Sequence, residues 1–261
     1  NILYSPVFPE VLRGEIEILK TLAGQFYCLK LAAVYEGTRN IYVVTDCCAG
    51  GDLMEHVSGL EQDLSVQDVS RIAFQLMSAV NHCYQHKILH RDIKPANVLF
   101  VNKSPGADIR LIDFGSGCKD SASAEGVQMT KDGLQLHSTY AGTAFYISPE
   151  VFQKAYTMLT DVWSAAVTLF VLVAGYPADN LQATFNRLQS VTRNFRELSG
   201  NDDSLPDSYY DFLSQALTYH YARRPSAGRL LKHEFLQLYK QEADGFDVNA
   251  KMPNTTSIAG S

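Results

Sequence analysis

Apolar residues first recur at helical spacing over about Pro9–Leu22, where Val11, Ile16, Ile18 and Leu19 share one face. The period then changes. Cys28–Tyr35 and Asn40–Cys47 read as two strands joined by the turn-like Glu36-Gly37-Thr38-Arg39. Ala49-Gly50-Gly51 interrupts that pattern and predicts a hinge. Helical spacing returns after Ser65, with Val69, Ile72, Ala73, Leu76, Val80 and Tyr84 on one face and Ser65 with Asp68 forming a capping box. Short strands at Asn97–Val101 and Asp108–Ile112 flank a turn at Lys103-Ser104-Pro105-Gly106. From Gly115 to Ala141 the chain is polar and without period, and a loop that long inside a compact domain marks function or mobility. Further helices are predicted over Leu159–Gly175, Gln182–Gln189, Asp207–Leu217 and Ser226–Lys240, followed by a loosely held tail. No internal repeat is present.

Composition narrows the classes. Hydrophobic residues at 46% and charged residues at 19% exclude global disorder. Val162–Ala174 is the longest apolar stretch, too short for the roughly 20 residues a bilayer span needs, so it predicts a helix buried on all sides. Twenty-two basic against 28 acidic residues leave a net charge of −6, which gives no general attraction to nucleic acid. The five cysteines (Cys28, Cys47, Cys48, Cys83, Cys118) are odd in number and scattered, against both a disulfide framework and a structural zinc site. Reduced thiols and no signal-peptide profile suggest a cytoplasmic chain without a membrane span. His82, His86 and His90 stand four apart, but they lack acidic partners for a metal stripe.

The chemistry concentrates in His90-Arg91-Asp92-Ile93-Lys94-Pro95-Ala96-Asn97, which fits H-R-D-x-x-x-x-N and is followed by Asp113-Phe114-Gly115. On these motifs the chain resembles the eukaryotic protein kinases. The resemblance implies an α+β, bilobal fold: a partial β-rich N-lobe over 1–48, a mainly helical C-lobe over 49–240 and a tail over 241–261. It implies transfer of the ATP γ-phosphoryl group to protein Ser/Thr hydroxyls, a reaction of positioning and charge neutralisation. Asp92 would orient the hydroxyl and accept its proton, and Lys94 would reach the transferred group. Asn97 and Asp113 would hold Mg²⁺, a hard cation that prefers oxygen.

The likeness extends over about residues 9–240. Gly142-Thr143-Ala144-Phe145-Tyr146-Ile147-Ser148-Pro149-Glu150 resembles the substrate-facing loop and its A-P-E ending, with Ser148 for the usual Ala. It implies pairing of Glu150 with Arg224 and contact of Thr143 with the substrate site. Asp161-Val162-Trp163-Ser164 resembles the start of the buried central helix, with Ala166 where a Gly is usual. Glu15 resembles the glutamate of the helix that faces ATP, and Leu19, His90 and Phe114 a hydrophobic spine. Thr45 falls at the gatekeeper position, Asp46–Cys48 at the adenine hinge, and Leu99 at the floor of the adenine pocket. Thr139 resembles an activation-loop phosphosite that would meet Arg91, since a phosphate beside an arginine orders a loop. Asp52 resembles an acid that selects Arg before the phosphoacceptor, and its residue type equally suits a helix N-cap.

The calcium/calmodulin-dependent group is the most similar, above all the calcium-dependent kinases of plants and apicomplexan parasites. Those continue into EF-hands. This sequence has no D-x-[DN]-x-[DN]-G loop, so calcium sensing would need a longer parent chain. The resemblance also implies a Gly-rich loop and a strand lysine paired with Glu15. The first lysine here is Lys20 and no glycine precedes Gly14, so neither stands in this sequence. Either an active kinase has those strands outside the sequence, or the chain is a catalytically impaired scaffold of kinase shape. The complete set of Asp92, Asn97 and Asp113 favours the first. A metal-dependent hydrolase built on Asp92 and Asp113 has no independent support.

Overall fold

The computed structural model describes residues 9–24, 26–38, 40–58, 64–120, 128–175 and 205–243. The helix expected over Gln182–Gln189 and nearly all of the tail lie outside the described residues.

The opening amphipathic run is helix α1, Pro9–Thr21, which turns Ile16, Ile18 and Leu19 into the core. Strand β1 (Leu31–Glu36) pairs antiparallel with β2 (Ile41–Thr45), Val34 opposite Val43, with a bulge between Leu31 and Ala33. A short helix, α2 (Leu53–Ser58), begins where the Asp52 carboxylate accepts the amides of Met54 and Glu55 at 2.8 and 2.9 Å. This cap satisfies amides that a first turn leaves without partners.

Helix α3 (Val66–Gln85) starts at Ser65, whose hydroxyl oxygen accepts the Asp68 amide at 3.1 Å while donating to the Asp68 carboxylate at 2.7 Å. Two of its buried polar side chains reach across to the following hairpin. Arg71 donates to the Ala107 carbonyl at 2.6 Å, and Gln75 both donates to Asp108 and accepts the Ile109 amide. These bonds fix the hairpin of β4 (Val98–Phe100) and β5 (Ile109–Leu111) on the helix. Two two-residue strands, β3 (Ile88–Leu89) and β6 (Cys118–Lys119), pair beside it.

A single turn, α4 (Pro149–Phe152), precedes α5 (Thr160–Ala174), which is buried from Thr160 to Leu172 as its unbroken apolar run predicts. Helix α6 spans Asp207–Ala216. The run expected as one helix over Ser226–Lys240 is two: α7 (Ala227–Leu230) and α8 (Glu234–Ala243). His233 makes the break. Its Nδ1 accepts the Phe235 amide at 3.2 Å and its Nε2 meets Asp211 at 2.9 Å. The turn drops Phe235 against Tyr209 and Phe212, with centroids 5.2 and 5.9 Å away. No helix among the described residues is long and apolar enough to cross a membrane.

Candidate active site

The segment His90–Asn97 leaves β3 and is held from below by α5. The Asp161 carboxylate accepts the amides of His90 at 2.7 Å and Arg91 at 2.9 Å. Burial pushes the Asp161 carboxyl up, opposed by His90 and these two amides. The His90 ring is wholly buried. Its Nε2 lies 2.8 Å from the Ile112 carbonyl and so must carry the proton, which leaves Nδ1 to accept the Asp92 amide at 3.2 Å. Arg91 adopts a φ of 68°, a left-handed value that a non-glycine residue keeps only when its surroundings impose it.

Four side chains then close on one another. Asp92 Oδ2 accepts from Lys94 Nζ at 2.8 Å and Oδ1 from the Thr143 hydroxyl at 2.7 Å. Lys94 also donates to Thr143 Oγ1 at 2.9 Å. Asn97 Nδ2 donates to the Asp92 carbonyl at 2.8 Å and to its Oδ2 at 3.2 Å. Burial pushes the Asp92 carboxyl up, but the bonds from Lys94 and Thr143 outweigh it and hold the group below the ordinary carboxylate value. Thus Asp92 is ionised at neutral pH with both oxygens aimed.

Asp113 is brought alongside by the hairpin. Val98 pairs with Leu111, and the Ile112 amide donates to the Asn97 carbonyl at 2.9 Å. Asp113 has a φ of 61° and its Oδ1 accepts the Gly115 amide at 3.2 Å. Phe114 is buried with its ring centroid 4.7 Å from that of His90, and Leu19 of α1 is buried in the same cluster. Glu15 is half-buried above this turn. Burial and the charge of Asp113 push its carboxyl up, and the Phe114 amide draws it partly back. Among the described residues no cation forms an ion pair with it.

The donor chemistry suits a hard cation. Asn97 spends its NH₂ on Asp92, so its carbonyl oxygen is the atom left for a metal, and Asp113 adds a carboxylate. No cluster of three or more His, Cys, Asp or Glu side chains able to hold a metal occurs among the described residues.

Thr45 ends β2, and the connection after it is sewn to β4. Ala49 donates to Val101, Gly50 to Phe100, and Phe100 back to Gly51, each at 3.0 Å. A side chain at Gly50 would collide with the Asn102 carbonyl, so only glycine fits there. Leu99, between two buried residues of β4, faces the opposite side of the strand. Asp46 donates its amide to Lys30, and burial pushes the half-buried Cys48 thiol up.

The structure does not bring the Arg91 side chain onto the Thr139 hydroxyl. Arg91 Nε donates to the Ser116 carbonyl at 2.6 Å and Nη2 to Gly117 at 3.4 Å. Thr139 is exposed, and its carbonyl accepts from Tyr156 Oη at 2.8 Å. Glu150 and Arg224 do meet, through two bonds of 2.5 and 3.0 Å. Asp52 is the N-cap of α2. The anchoring by Asp161 is the functional contact that sequence reasoning missed. Its partners are 70 and 71 residues away, and no local pattern encodes such a pairing.

The model for the protein kinase domain matches residues 5–236. The chain belongs to the protein kinase domain family. It is 28% identical over 234 residues to CDPK-related kinase 3 of Arabidopsis thaliana, covering 87% of this chain and 37% of that protein. Calcium-dependent protein kinase 5 of Plasmodium falciparum is 30% identical over 234 residues, with 88% and 39% covered. Serine/threonine-protein kinase PEPKR2 of Arabidopsis thaliana is 32% identical over 233 residues, with 88% and 46% covered. The chain therefore spans less than half the length of these relatives.

Proposed function

We propose that this chain is the catalytic core of a protein serine/threonine kinase that transfers the ATP γ-phosphoryl group to protein hydroxyls. The observation that carries the reading is the closed contact of Asp92, Lys94, Asn97 and Thr143. Asp92 orients the incoming hydroxyl and accepts its proton as the new O–P bond forms. Lys94 stands where it neutralises charge on the phosphoryl oxygens, and Thr143 keeps both groups in register. Mg²⁺, when bound, spreads the triphosphate charge, and Asn97 and Asp113 are the residues to hold it. Thr45, Asp46, Cys48 and Leu99 line the adenine side, with Glu15 facing the phosphates. Residues 1–48 form the partial N-lobe, 49–240 the C-lobe and 241–261 a tail.

Regulation follows the same pattern. Phosphate on Thr139 draws Arg91 from its carbonyl partners and orders the loop. Asp52 gives a preference for Arg ahead of the phosphoacceptor. Calcium enters only through EF-hands of a longer parent.

The test is phosphate transfer from Mg²⁺-ATP to a panel of Ser/Thr peptides by the full-length protein, against Asp92→Asn. Loss of about 10²–10⁴ in kcat is expected from removing the positioned base. Glu15 without an ionic partner among the described residues favours a second reading, a kinase-shaped scaffold. Equal, background-level transfer by both proteins would establish that reading instead.

A further inference from the structure

A half-buried cluster behind the catalytic loop plays no part in phosphoryl transfer as derived above. His137 exchanges two main-chain hydrogen bonds with Tyr156, 2.8 and 3.1 Å, and its ring stacks on the tyrosine at 5.4 Å. Its Nε2 lies 2.6 Å from Asp120 Oδ1, with only 10% and 8% of the two side chains exposed. Its Nδ1 lies 4.0 Å from the sulfur of Cys118, which sits in β6 opposite Leu89. Asp120 therefore fixes the ring and turns its second nitrogen toward the thiol.

The ring is also charged. Burial opposes protonation, but the Asp120 hydrogen bond and the neighbouring Cys118 prevail and raise the imidazole pKa to about 9. The attacking form of a cysteine is its thiolate, and reactive cysteines sit beside cations in partly exposed places. A nucleophile facing an imidazole that a carboxylate orients is the recurrent arrangement. Cys118 faces such a ring at 4.0 Å and is reachable, being half-buried.

The other thiols do not. Cys28 and Cys83 are 1% exposed, and their mutual hydrogen bond together with burial pushes Cys83 well above the ordinary thiol value. Burial likewise pushes Cys48 up. Cys47 is exposed, but no imidazole faces it among the described residues.

We propose that Cys118 is the reactive thiol of this chain, a covalent modification site for small, soft carbon electrophiles. With iodoacetamide, the sulfur forms a C–S bond to the methylene carbon. The C–I bond breaks, iodide leaves with the bonding pair, and the thiol proton passes to water.

Limiting iodoacetamide followed by peptide mass mapping tests this without reference to kinase activity. Cys118 should alkylate about tenfold faster than the exposed Cys47. His137→Gln and Asp120→Asn should each slow Cys118 about tenfold and leave the Cys47 rate alone. Cys118→Ser should remove the fast adduct. If His137 merely shields the sulfur, both variants would accelerate Cys118, and that result overturns the proposal. So would Cys47 reacting first, or variant rates equal to the parent's. Labelling of Cys28 and Cys83 would expose an unfolded variant, and the order of Cys118 and Cys47 in the parent then decides.

Discussion

Arg224 illustrates how much one side chain can carry in this fold. Its guanidinium is wholly buried, donates twice to Glu150 and once to the Leu159 carbonyl at 2.9 Å, and lies 5.1 Å above the Trp163 ring. Planar, forked and permanently charged, arginine satisfies these partners together where lysine could not. Arg224→Ala would leave Glu150 charged and unpaired in the core, at a cost of roughly 3–5 kcal/mol. Arg224→Met with Glu150→Leu should lose less than the single change, read as denaturant midpoints. His82 makes a contrasting case. It is buried with Nε2 lacking a hydrogen-bond partner among the described residues, and burial, then the nearby His86, lower its pKa to about 4. Below the ordinary imidazole value near 6.5 the unfolded chain takes up a proton that the folded chain refuses. Stability should therefore fall as pH drops from about 6.5 towards 4. His82→Leu should flatten that part of a melting-temperature profile while leaving the region above pH 7 nearly unchanged.

At the level of elements, the cap of α3 and the glycine before Thr143 give opposite kinds of sensitivity. Ser65→Ala removes one hydroxyl partner and should cost about 1 kcal/mol by chemical denaturation without moving the site. Gly142 has a φ of 102°, and a methyl group there would collide with the Arg91 carbonyl oxygen. Gly142→Ala should thus shift Thr143 from Asp92 and lower phosphate transfer more than it lowers stability, which comparing kcat with the denaturation midpoint will show. The helices were legible in the sequence because their apolar stripes are long: α1, α3 and α5 fall within two residues of the pattern. The motif His90–Asn97 was legible because its residue types are contiguous. The short strands β3 and β6 were not, since two residues carry no period and exist only through pairing with each other. The same holds for Asp120 and His137, which become neighbours only when the chain folds back on Tyr156. The break at His233 was hidden because an apolar stripe continues on both sides of it.

At the scale of the molecule, the larger of two buried clusters among the described residues runs from Ile18, Leu19 and Leu22 of the first helix and its exit, through Leu29, to Leu76 in α3, Trp163 in α5 and Leu236 in α8. The Tyr27–Leu29 segment contributes to the join, with an isolated bridge between Cys28 and Leu111. Its main chain exchanges bonds of 2.8 and 2.9 Å with Leu111, so the first helix is anchored through backbone as well as side chains. Residues joined in one such cluster should unfold as one unit. The sequence supplies a clean reporter, because Trp163 is its only tryptophan and is buried in the cluster. Fluorescence of Trp163 and far-ultraviolet circular dichroism should give coincident urea transitions. Leu19→Ala, far along the chain from Trp163, should lower both midpoints together, the lost packing costing about 2–5 kcal/mol. A separate early transition in circular dichroism, with the fluorescence curve unmoved, would mean instead that α1 melts independently of the helical body.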